Sequence, residues 1–260
     1  MSADPLDAAA GQRAERIAKL LARAGLCSRR DAERWIADGR VSVDGRVLET
    51  PAVTVTAAND IRVDGKPLPT PERPRLWRYH KPVGLVTSHR DERGRPTVFD
   101  ALPKDLPRLI SIGRLDLNSE GLLLLTNDGA LARRLELPAT GWARRYKVRV
   151  HGEVEPERLA ALEKGITVDG VSYGQIRASL ERQQGSNAWI AMALREGKNR
   201  EVRRVLEHLG LQVTRLIRLS YGPFQLGNLA RGAIDEVPKK VFSEQLGNSR
   251  PATIHADRRR

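Results

Sequence analysis

The stretch GRLDLNSEGLLLLTNDG, residues 113–129, places one acid, Asp116, shortly before four consecutive leucines at positions 122–125. A short apolar run bounded by turn residues is typical of a strand that is buried on both faces. An acid with leucine on each side, at the edge of a core, is costly unless a cation or a strong hydrogen bond compensates for its charge. The stretch therefore predicts a rigid buried strand that presents Asp116 to a nearby cation.

The segment LREGKNREVRRVLEHLG, residues 194–210, predicts a helix that can supply this cation. We expect Asn199 to cap its start and Gly210 to end it. Its apolar stripe consists of Val202, Val205, Leu206 and Leu209. One flank carries Arg200, Arg203 and Arg204. Arg203 borders the stripe, so it either reaches into a cleft or belongs to a solvated basic face with Glu207, and the helix alone does not decide between the two.

The charge of the chain indicates the class of its partner. Lys and Arg number 45 against 32 Asp and Glu, a formal net charge of +13. Such a surplus favours a polyanion, because each phosphate that a cation neutralises releases a condensed counterion. Nucleic acid is favoured over a membrane surface, because no apolar run approaches the roughly 20 residues that a membrane span needs. The first 16 residues also lack the apolar segment of a secretory signal, so we expect a cytoplasmic protein.

Several chemistries are excluded by what the sequence lacks. Cys27 is the single cysteine, and no two of the five histidines have the spacing of a helical metal site. A phosphate loop of the form GxxxxGK[ST] is absent, and the nucleophile elbow GxSxG fails at Leu117. The sequence therefore predicts no metal, no ATP site and no serine hydrolase.

Two amphipathic helices and two tight hairpins are predicted near the start of the chain. The second helix begins at a capping box formed by Ser28 and Asp31, and the hairpin turns fall at residues 44–45 and 64–65. The span RIAKLLARAGLCSRRDAERWIADGRVSVDGRVL resembles an S4 RNA-binding domain, and the resemblance covers about residues 16–63. It implies a basic surface that docks on structured RNA. The cations that we expect on this surface are Arg29, Arg30, Arg34 and Arg40.

The composition along the chain predicts two domains joined by a linker. We expect a disordered start at residues 1–12, an RNA-binding domain at 13–66 and a proline-rich linker at 67–74. Residues 75–240 contain more strand-like than helix-like segments, which favours an α+β domain with a mixed or antiparallel sheet. The basic segment 241–260 is expected to be disordered.

The stretch 113–129 resembles the central motif of the pseudouridine synthases, in the branch that acts on ribosomal RNA and carries an S4 domain. Further blocks agree in order: HKPVGLVTS, GRPTVFDALP, RRYKVRV, EGKNREVRRVLEHLG and VTRLIRLSYG. The resemblance implies that Asp116 is the catalytic nucleophile, that Tyr146 packs against the target base, and that Arg203 pairs with Asp116. Ser119 stands where the family more often has threonine, and the hydroxyl is kept. Arg114, Arg200 and Arg204 are expected to contact RNA.

The resemblance implies conversion of a specific uridine in ribosomal RNA to pseudouridine, without a metal or redox cofactor. The form NREVRR points to the large-subunit RNA, free or in a pre-ribosomal particle, as the partner. A monomer is the simplest expectation for the enzyme. A rival hypothesis is a non-catalytic S4-type protein that binds ribosomal RNA during subunit assembly. The presence of Asp116, Tyr146 and Arg203 together in their motifs favours the enzyme, because a pure binding protein has no use for the set.

Overall fold

The computed structural model describes residues 14–56 and 58–247. The chain forms two compact units. The N-terminal unit extends to Pro74 and includes Lys104–Leu109 and Asn127–Gly129, and the C-terminal unit comprises Arg75–Pro103, Ile110–Thr126 and the chain from Ala130 onward. The predicted disorder of residues 1–12 lies outside the described residues.

The N-terminal unit packs two helices, α1 (Ile17–Arg23) and α2 (Arg29–Ala37), on short strands. The strands are β1 (Glu15–Arg16), β2 (Val41–Val43), β3 (Arg46–Val47), β4 (Thr54–Val55), β5 (Ile61–Val63) and β6 (Lys66–Pro67). Four of them form a sheet in the order β3-β2-β5-β6 among the described residues. The predicted capping box is present, since the Ser28 hydroxyl accepts from the Asp31 N–H and Asp31 accepts in return. Both hairpin turns hold their aspartate at positive φ, 51° at Asp44 and 50° at Asp64.

The C-terminal unit contains the remaining elements. Its helices are α3 (Gly129–Glu136, which begins in the short segment assigned to the N-terminal unit), α4 (Pro156–Ala161), α5 (Glu201–His208) and α6 (Lys239–Leu246). Its strands are β7 (Leu76–Lys81), β8 (Ile110–Ile112), β9 (Glu120–Thr126), β10 (Arg144–His151), β11 (Ile166–Val168), β12 (Val171–Tyr173), β13 (Ile176–Gln184), β14 (Asn187–Leu194), β15 (Gln212–Tyr221), β16 (Phe224–Gln225) and β17 (Ile234–Glu236). Short 3₁₀ turns lie at Phe99–Ala101, Pro138–Thr140 and Leu162–Lys164.

A large mixed sheet organises this unit. Its main path runs β13-β14-β10-β15-β9-β7-β17, with β16 paired to β15 and β8 paired to β9. The pairing of β9 with β15 is parallel, whereas the other pairings along the path are antiparallel. All seven residues of β9 are buried, which confirms the prediction for the leucine run. The observed architecture confirms the α+β class with a mixed sheet.

Gly121 allows β9 and β15 to approach each other closely. Gly121 pairs with Arg218 and has φ of +108°. A Cβ at this position would lie 2.6 Å from the Arg218 backbone nitrogen and closer still to the Arg218 carbonyl oxygen. Glycine is therefore required here for steric as well as conformational reasons.

The C-terminal boundary of the folded region lies further along the chain than predicted. Helix α6 extends through Leu246, and Leu246 is buried in the same apolar cluster as Leu124 and Phe224. The prediction that disorder begins at residue 241 was therefore wrong for the start of this segment, because apolar positions near its beginning pack on the core. Residues 248–260 lie outside the described residues.

Candidate active site

A cleft of about 820 Å³ opens in the C-terminal unit between the loop that precedes β9, the start of α5 and the inner face of the sheet. The three residues predicted to be catalytic, Asp116, Tyr146 and Arg203, all line it. They are separated by up to 87 positions in the sequence, so the fold brings them together. The cleft wall is strongly basic, with cations contributed by Arg114, Arg133, Arg144, Arg195, Lys198, Arg200, Arg203 and Arg218.

Asp116 lies in a loop between β8 and β9 and not on the buried strand itself. The loop turns directly after it, because the Ser119 N–H donates to the Asp116 carbonyl oxygen at 3.0 Å. The side chain is half-buried and faces the cleft lining. The expectation that a strand presents Asp116 was therefore wrong in detail: the strand begins at Glu120 and anchors the turn that carries the acid.

Lys81 holds this loop in place through hydrogen bonds to its backbone. Its side chain is fully buried, and Nζ donates to the carbonyl oxygens of Ser119 at 2.8 Å and Asp116 at 3.1 Å. Burial lowers the pKa of Lys81 to about 8, opposed by the attraction of the Asp116 charge. No role was predicted for Lys81, although its alternation with Trp77 and Tyr79 along β7 places it on the buried face.

Arg203 lies beside Asp116 without forming a direct ion pair with it. Its Nη2 donates to the Asn118 carbonyl oxygen at 2.8 Å and its Nη1 to that of Val213 at 3.3 Å. Its Nε is buried without a hydrogen-bond partner. Burial lowers the pKa of the guanidinium, whereas the charge of Asp116 raises it. Arg203 thus joins the loop of Asp116 to β15 and interacts with the acid through space, and their direct pairing stays a prediction.

Tyr146 forms part of the floor of the cleft. It lies on β10, where alternate side chains are buried, and its neighbours on the paired strands are Met192 and Arg218. Its side chain is nearly buried yet contributes to the cleft lining. An aromatic ring in this position can cover one face of a planar ligand. Its stacking on a target base stays a prediction.

Arg144 and Arg218 are buried cations of the cleft that sequence analysis did not single out. Arg144 donates through Nη1 to the Glu196 carbonyl oxygen at 2.8 Å and through Nη2 to the Tyr221 hydroxyl at 2.9 Å. Arg218 donates through Nε to the Leu122 carbonyl oxygen at 2.7 Å, and its Nη2 is buried without a partner. Both occur in the blocks RRYKVRV and VTRLIRLSYG, where alternation with apolar residues placed them on the inner face.

The start of α5 differs from the prediction. Arg200, and not Asn199, occupies the N-cap position, with φ of 50° and no side-chain cap. The turn is closed instead by Glu201, whose carboxylate accepts from the Lys198 N–H at 3.0 Å. Burial raises the pKa of Glu201. A left-handed arginine in place of an asparagine cap brings the exposed Arg200 side chain to the cleft.

The seven cations predicted to bind RNA fall into three groups. Arg114 and Arg200 line the cleft, whereas Arg204 is half-buried on α5 outside the lining. The other four belong to the N-terminal unit and are exposed: Arg29, Arg30, Arg34 and Arg40. Arg34 and Arg40 form ion pairs with Asp31 and Asp64, and Arg40 also lies over the Trp35 ring at 4.7 Å. Their contacts with RNA stay predictions.

Residues 14–56 and 58–247 hold neither a candidate metal site nor a candidate membrane span. No group of three or more His, Cys, Asp or Glu residues there is arranged to hold a metal ion. No helix within that part of the chain is both long enough and apolar enough to cross a membrane.

Comparison with known proteins agrees with this geometry. The RNA pseudouridylate synthase family model matches residues 75–208, and the S4 domain model matches residues 15–61. An uncharacterized RNA pseudouridine synthase of Rickettsia prowazekii is 48% identical over 232 residues, covering 89% of this chain and 97% of the relative. Ribosomal large subunit pseudouridine synthase B of Yersinia pestis is 43% identical over 234 residues, covering 87% and 74%.

A solved structure supports the same relationship. The crystal structure of a pseudouridylate synthase superposes with a TM-score of 0.61 at 27% identity, covering 86% of this chain and 96% of the other. The family matches are consistent with the two units of the structure, since the S4 match falls in the N-terminal unit and the synthase match lies mostly in the C-terminal unit. The chain therefore belongs to the RNA pseudouridine synthase family and combines an S4 domain with a pseudouridine synthase catalytic domain.

Proposed function

We propose that the protein converts a specific uridine of large-subunit ribosomal RNA to pseudouridine, with Asp116 as the nucleophile. The observation that carries this proposal is the position of Asp116: a half-buried carboxylate in a basic cleft, on a turn fixed by Lys81 and Arg203. The assignment to the large-subunit RNA is supported by the similarity to ribosomal large subunit pseudouridine synthase B.

The reaction fits the groups that line the cleft. The bond between uracil N1 and ribose C1′ breaks, the uracil turns, and a bond from C5 to C1′ forms while the C5 hydrogen leaves to water. N1 gains a proton in return, so the product is an isomer of the substrate and no electrons are exchanged. The enzyme must supply one nucleophile and hold the freed base. Asp116 supplies the first, and the enclosed cleft with Tyr146 supplies the second.

The uridine has to leave its stack before it can enter the cleft. Flipping a base out of folded RNA costs a few kcal/mol, which contacts in the pocket offset. Stacking on an aromatic side chain contributes about 1–3 kcal/mol per base in other RNA-binding proteins, and Tyr146 offers such a face. The surrounding arginines favour the entry of the phosphate backbone on either side of the target.

The carboxylate of Asp116 lies near two cations that do not bond to it. Lys81 and Arg203 both interact with its charge, and neither forms a closed ion pair with it. A carboxylate that attracts cations without being hydrogen-bonded by them keeps its lone pairs available for attack on the substrate. The two cations instead bond to backbone carbonyl groups, so the loop is held while its acid stays reactive.

The test uses large-subunit ribosomal RNA without modifications, labelled with tritium at uridine C5. Because C5 becomes the new attachment point, each turnover releases one tritium to water. We expect release by the wild-type protein and by Asp105→Asn, a matched control at an exposed aspartate outside the cleft. Asp116→Asn should bind the RNA and release none.

The alternative outcomes are distinct. Turnover by a clean preparation of Asp116→Asn would show that the nucleophile is another group. Wild-type protein that binds the RNA but releases no tritium would favour the non-catalytic assembly factor, unless a partly assembled large subunit restores release. We further propose that the enzyme acts as a monomer in the cytoplasm, where this RNA is made.

A further inference from the structure

The outer face of the large sheet carries a second basic surface, away from the cleft. Alternation along β10 buries Tyr146, Val148 and Val150 on the inner face, which forms the cleft floor and core, and leaves the intervening side chains outside. We name this surface the outer basic face and define it by Arg145, Lys147, Arg149, Arg182, Trp189 and Ala191. Its members lie on the adjacent strands β13, β14 and β10.

The strand register places the cations of this face in regular positions. Arg149 on β10 pairs with Trp189 on β14, which pairs in turn with Arg182 on β13. Lys147 lies two residues before Arg149, next to Ala191. Arg145, Lys147 and Arg149 therefore follow one another at about 7 Å along a single strand. Ala193 and Ala191 on β14 pair with Arg145 and Lys147, so small side chains lie beside these cations.

The charges on this face are poorly compensated by the protein. Lys147 has an ion pair with Glu181, but Arg145 and Arg149 have no side-chain partner among the described residues. Arg149 is also directly opposite Arg215 on β15, and like charges in that relation destabilise a sheet. Arg215 has an ion pair with the buried Glu120, whereas Arg149 has none. A bound polyanion would compensate the charge of Arg149.

Trp189 gives the face a second feature of nucleic-acid surfaces. The ring is half-buried, with the Lys147 ammonium 5.2 Å and the Arg215 guanidinium 6.0 Å from its centre. These cations are held in place above an aromatic ring and not dispersed in solvent. A row of cations at even spacing beside an aromatic ring suits a backbone that carries one charge per nucleotide.

We propose that the outer basic face binds the phosphate backbone of a second segment of the RNA whose uridine enters the cleft. The inference rests on the proposed function in taking that RNA as the ligand, but it concerns the opposite face of the sheet. Two contacts on one molecule act together, so even weak binding at the outer face raises the affinity for a long RNA. The face would thereby favour large folded RNA over short stem-loops.

The first experiment removes the cations without touching the cleft. In the full-length protein, Arg145→Gln, Arg149→Gln and Arg182→Gln are combined, and the matched control combines Arg93→Gln, Arg158→Gln and Lys240→Gln, three exposed cations on other elements. Binding is measured to a long ribosomal RNA fragment and to a short stem-loop that fills only the cleft. We expect the outer-face variant to lose about tenfold in affinity for the long RNA, with the slope of log K against log salt reduced by about 2 to 3.

The control variant should change that slope by less than about 1 because its cations are scattered. The affinity for the short stem-loop should be the same for both variants. Equal losses for the two variants on the long RNA would overturn the proposal, since they would reflect net charge alone. Thermal melting of both variants establishes that each is folded.

A second experiment locates the RNA directly. Cys27 is buried, so a cysteine introduced by Ala191→Cys can be labelled selectively with an iron chelate that cleaves nearby RNA. Glu157→Cys on α4, an exposed site on another element, serves as the control. We expect cleavage of a defined RNA segment from position 191 and its loss when the three outer-face arginines are replaced. Absence of cleavage from position 191 in a bound complex would overturn the proposal. Neither readout requires turnover, so failure here is distinct from failure of the tritium-release test.

Discussion

The cations of the S4 domain and those of the catalytic cleft have different kinds of partner. In the S4 domain, Arg34 and Arg40 pair with the acids Asp31 and Asp64, and Arg29 and Arg30 face solvent. At the catalytic site, the buried cations donate mainly to backbone carbonyl oxygens. This second pattern holds for Arg144, Arg203 and Arg218 in the cleft lining, and for Lys81, which binds the Asp116 loop from outside the lining.

This difference indicates that the exposed cations contribute to RNA affinity, whereas the buried cations fix the backbone geometry of the site. An exposed cation contributes to binding through a charge that salt screens and that moves with its side chain. A buried cation that bonds to carbonyl groups is costly to place, but it fixes the backbone that it touches. Replacing a cation of the first kind should change how tightly RNA binds, and replacing one of the second kind should change turnover and stability.

Lys81→Met is the strongest test of that separation. Methionine keeps the length and apolar stem of lysine but removes the ammonium that donates to the carbonyl groups of Asp116 and Ser119. We expect kcat to fall by about 100-fold or more, because displacement of a catalytic group by about 1 Å costs that much. The free energy of unfolding should fall by about 2–4 kcal/mol, measured by chemical denaturation.

Asp116→Asn serves as the control for this variant. It should lose turnover while keeping its unfolding midpoint, since the acid side chain has no hydrogen bond that stabilises the fold among the described residues. If Lys81→Met instead kept normal kcat and stability, the buried cations would not fix geometry, and the comparison would fail at its central point.

Arg203→Lys tests whether the shape of the cation matters as well as its charge. A lysine ammonium cannot reach the Asn118 and Val213 carbonyl groups together as a planar guanidinium does. We expect kcat to fall by about tenfold to 100-fold with little change in RNA affinity. Arg158→Lys on the exposed side of α4 measures the general effect of the replacement and should leave kcat unchanged. A drop in RNA affinity without a drop in kcat would show that Arg203 acts like the exposed cations of the S4 domain and does not fix the geometry of the site.

The elements that the sequence predicted well depend on local interactions. The capping box of Ser28 and Asp31 and the aspartate-glycine turns at 44–45 and 64–65 involve residues a few positions apart, so their patterns are sufficient. The leucine run is similar, because a short apolar run between turn residues is typical of a strand buried on both faces. The prediction for the start of α5 was wrong for a physical reason. Glu201 closes the turn, so no cap from Asn199 is needed.

The parts of the cleft that the sequence did not predict depend on distant partners. Lys81 is 35 positions from Asp116, and no local pattern shows that its ammonium supports that loop. The need for glycine at position 121 likewise depends on β15, whose Arg218 backbone passes against it. Family resemblance supplied Asp116, Tyr146 and Arg203, which line the cleft, but it did not supply the residues that hold them.

The depressed pKa of Lys81 predicts a pH effect with a definite sign. Its pKa is about 8 in the folded protein against 10.5 for an unperturbed lysine, so between these values the unfolded chain binds the extra proton. The unfolding free energy of the wild type should therefore rise with pH relative to that of Lys81→Met, by at most about 1.4 kcal/mol per pH unit. Denaturation of both proteins from pH 7 to 10 measures the difference. A constant difference across that range would contradict the burial of a charged lysine.

The smallest expected effects distinguish two pairs of exposed arginines in the S4 domain by their contribution to RNA binding. Arg29 and Arg30 have no acidic partner among the described residues, whereas Arg34 and Arg40 are locally neutralised by Asp31 and Asp64. A cation that already has a carboxylate beside it releases fewer counterions when it meets a phosphate, because part of its charge is compensated beforehand. Binding of ribosomal RNA at several salt concentrations tests this distinction.

The double variant Arg29→Gln/Arg30→Gln should weaken RNA binding several-fold and reduce the salt slope by about 1.5, whereas Arg34→Gln/Arg40→Gln should change the slope by less than about 1. Neither pair should change kcat on saturating RNA, since both lie in the S4 domain and not in the cleft. The unfolding free energy should move by less than about 1 kcal/mol when an exposed ion pair is lost. A larger slope change for Arg34→Gln/Arg40→Gln than for Arg29→Gln/Arg30→Gln would contradict this expectation. It would mean that RNA phosphates displace Asp31 and Asp64 from the paired arginines.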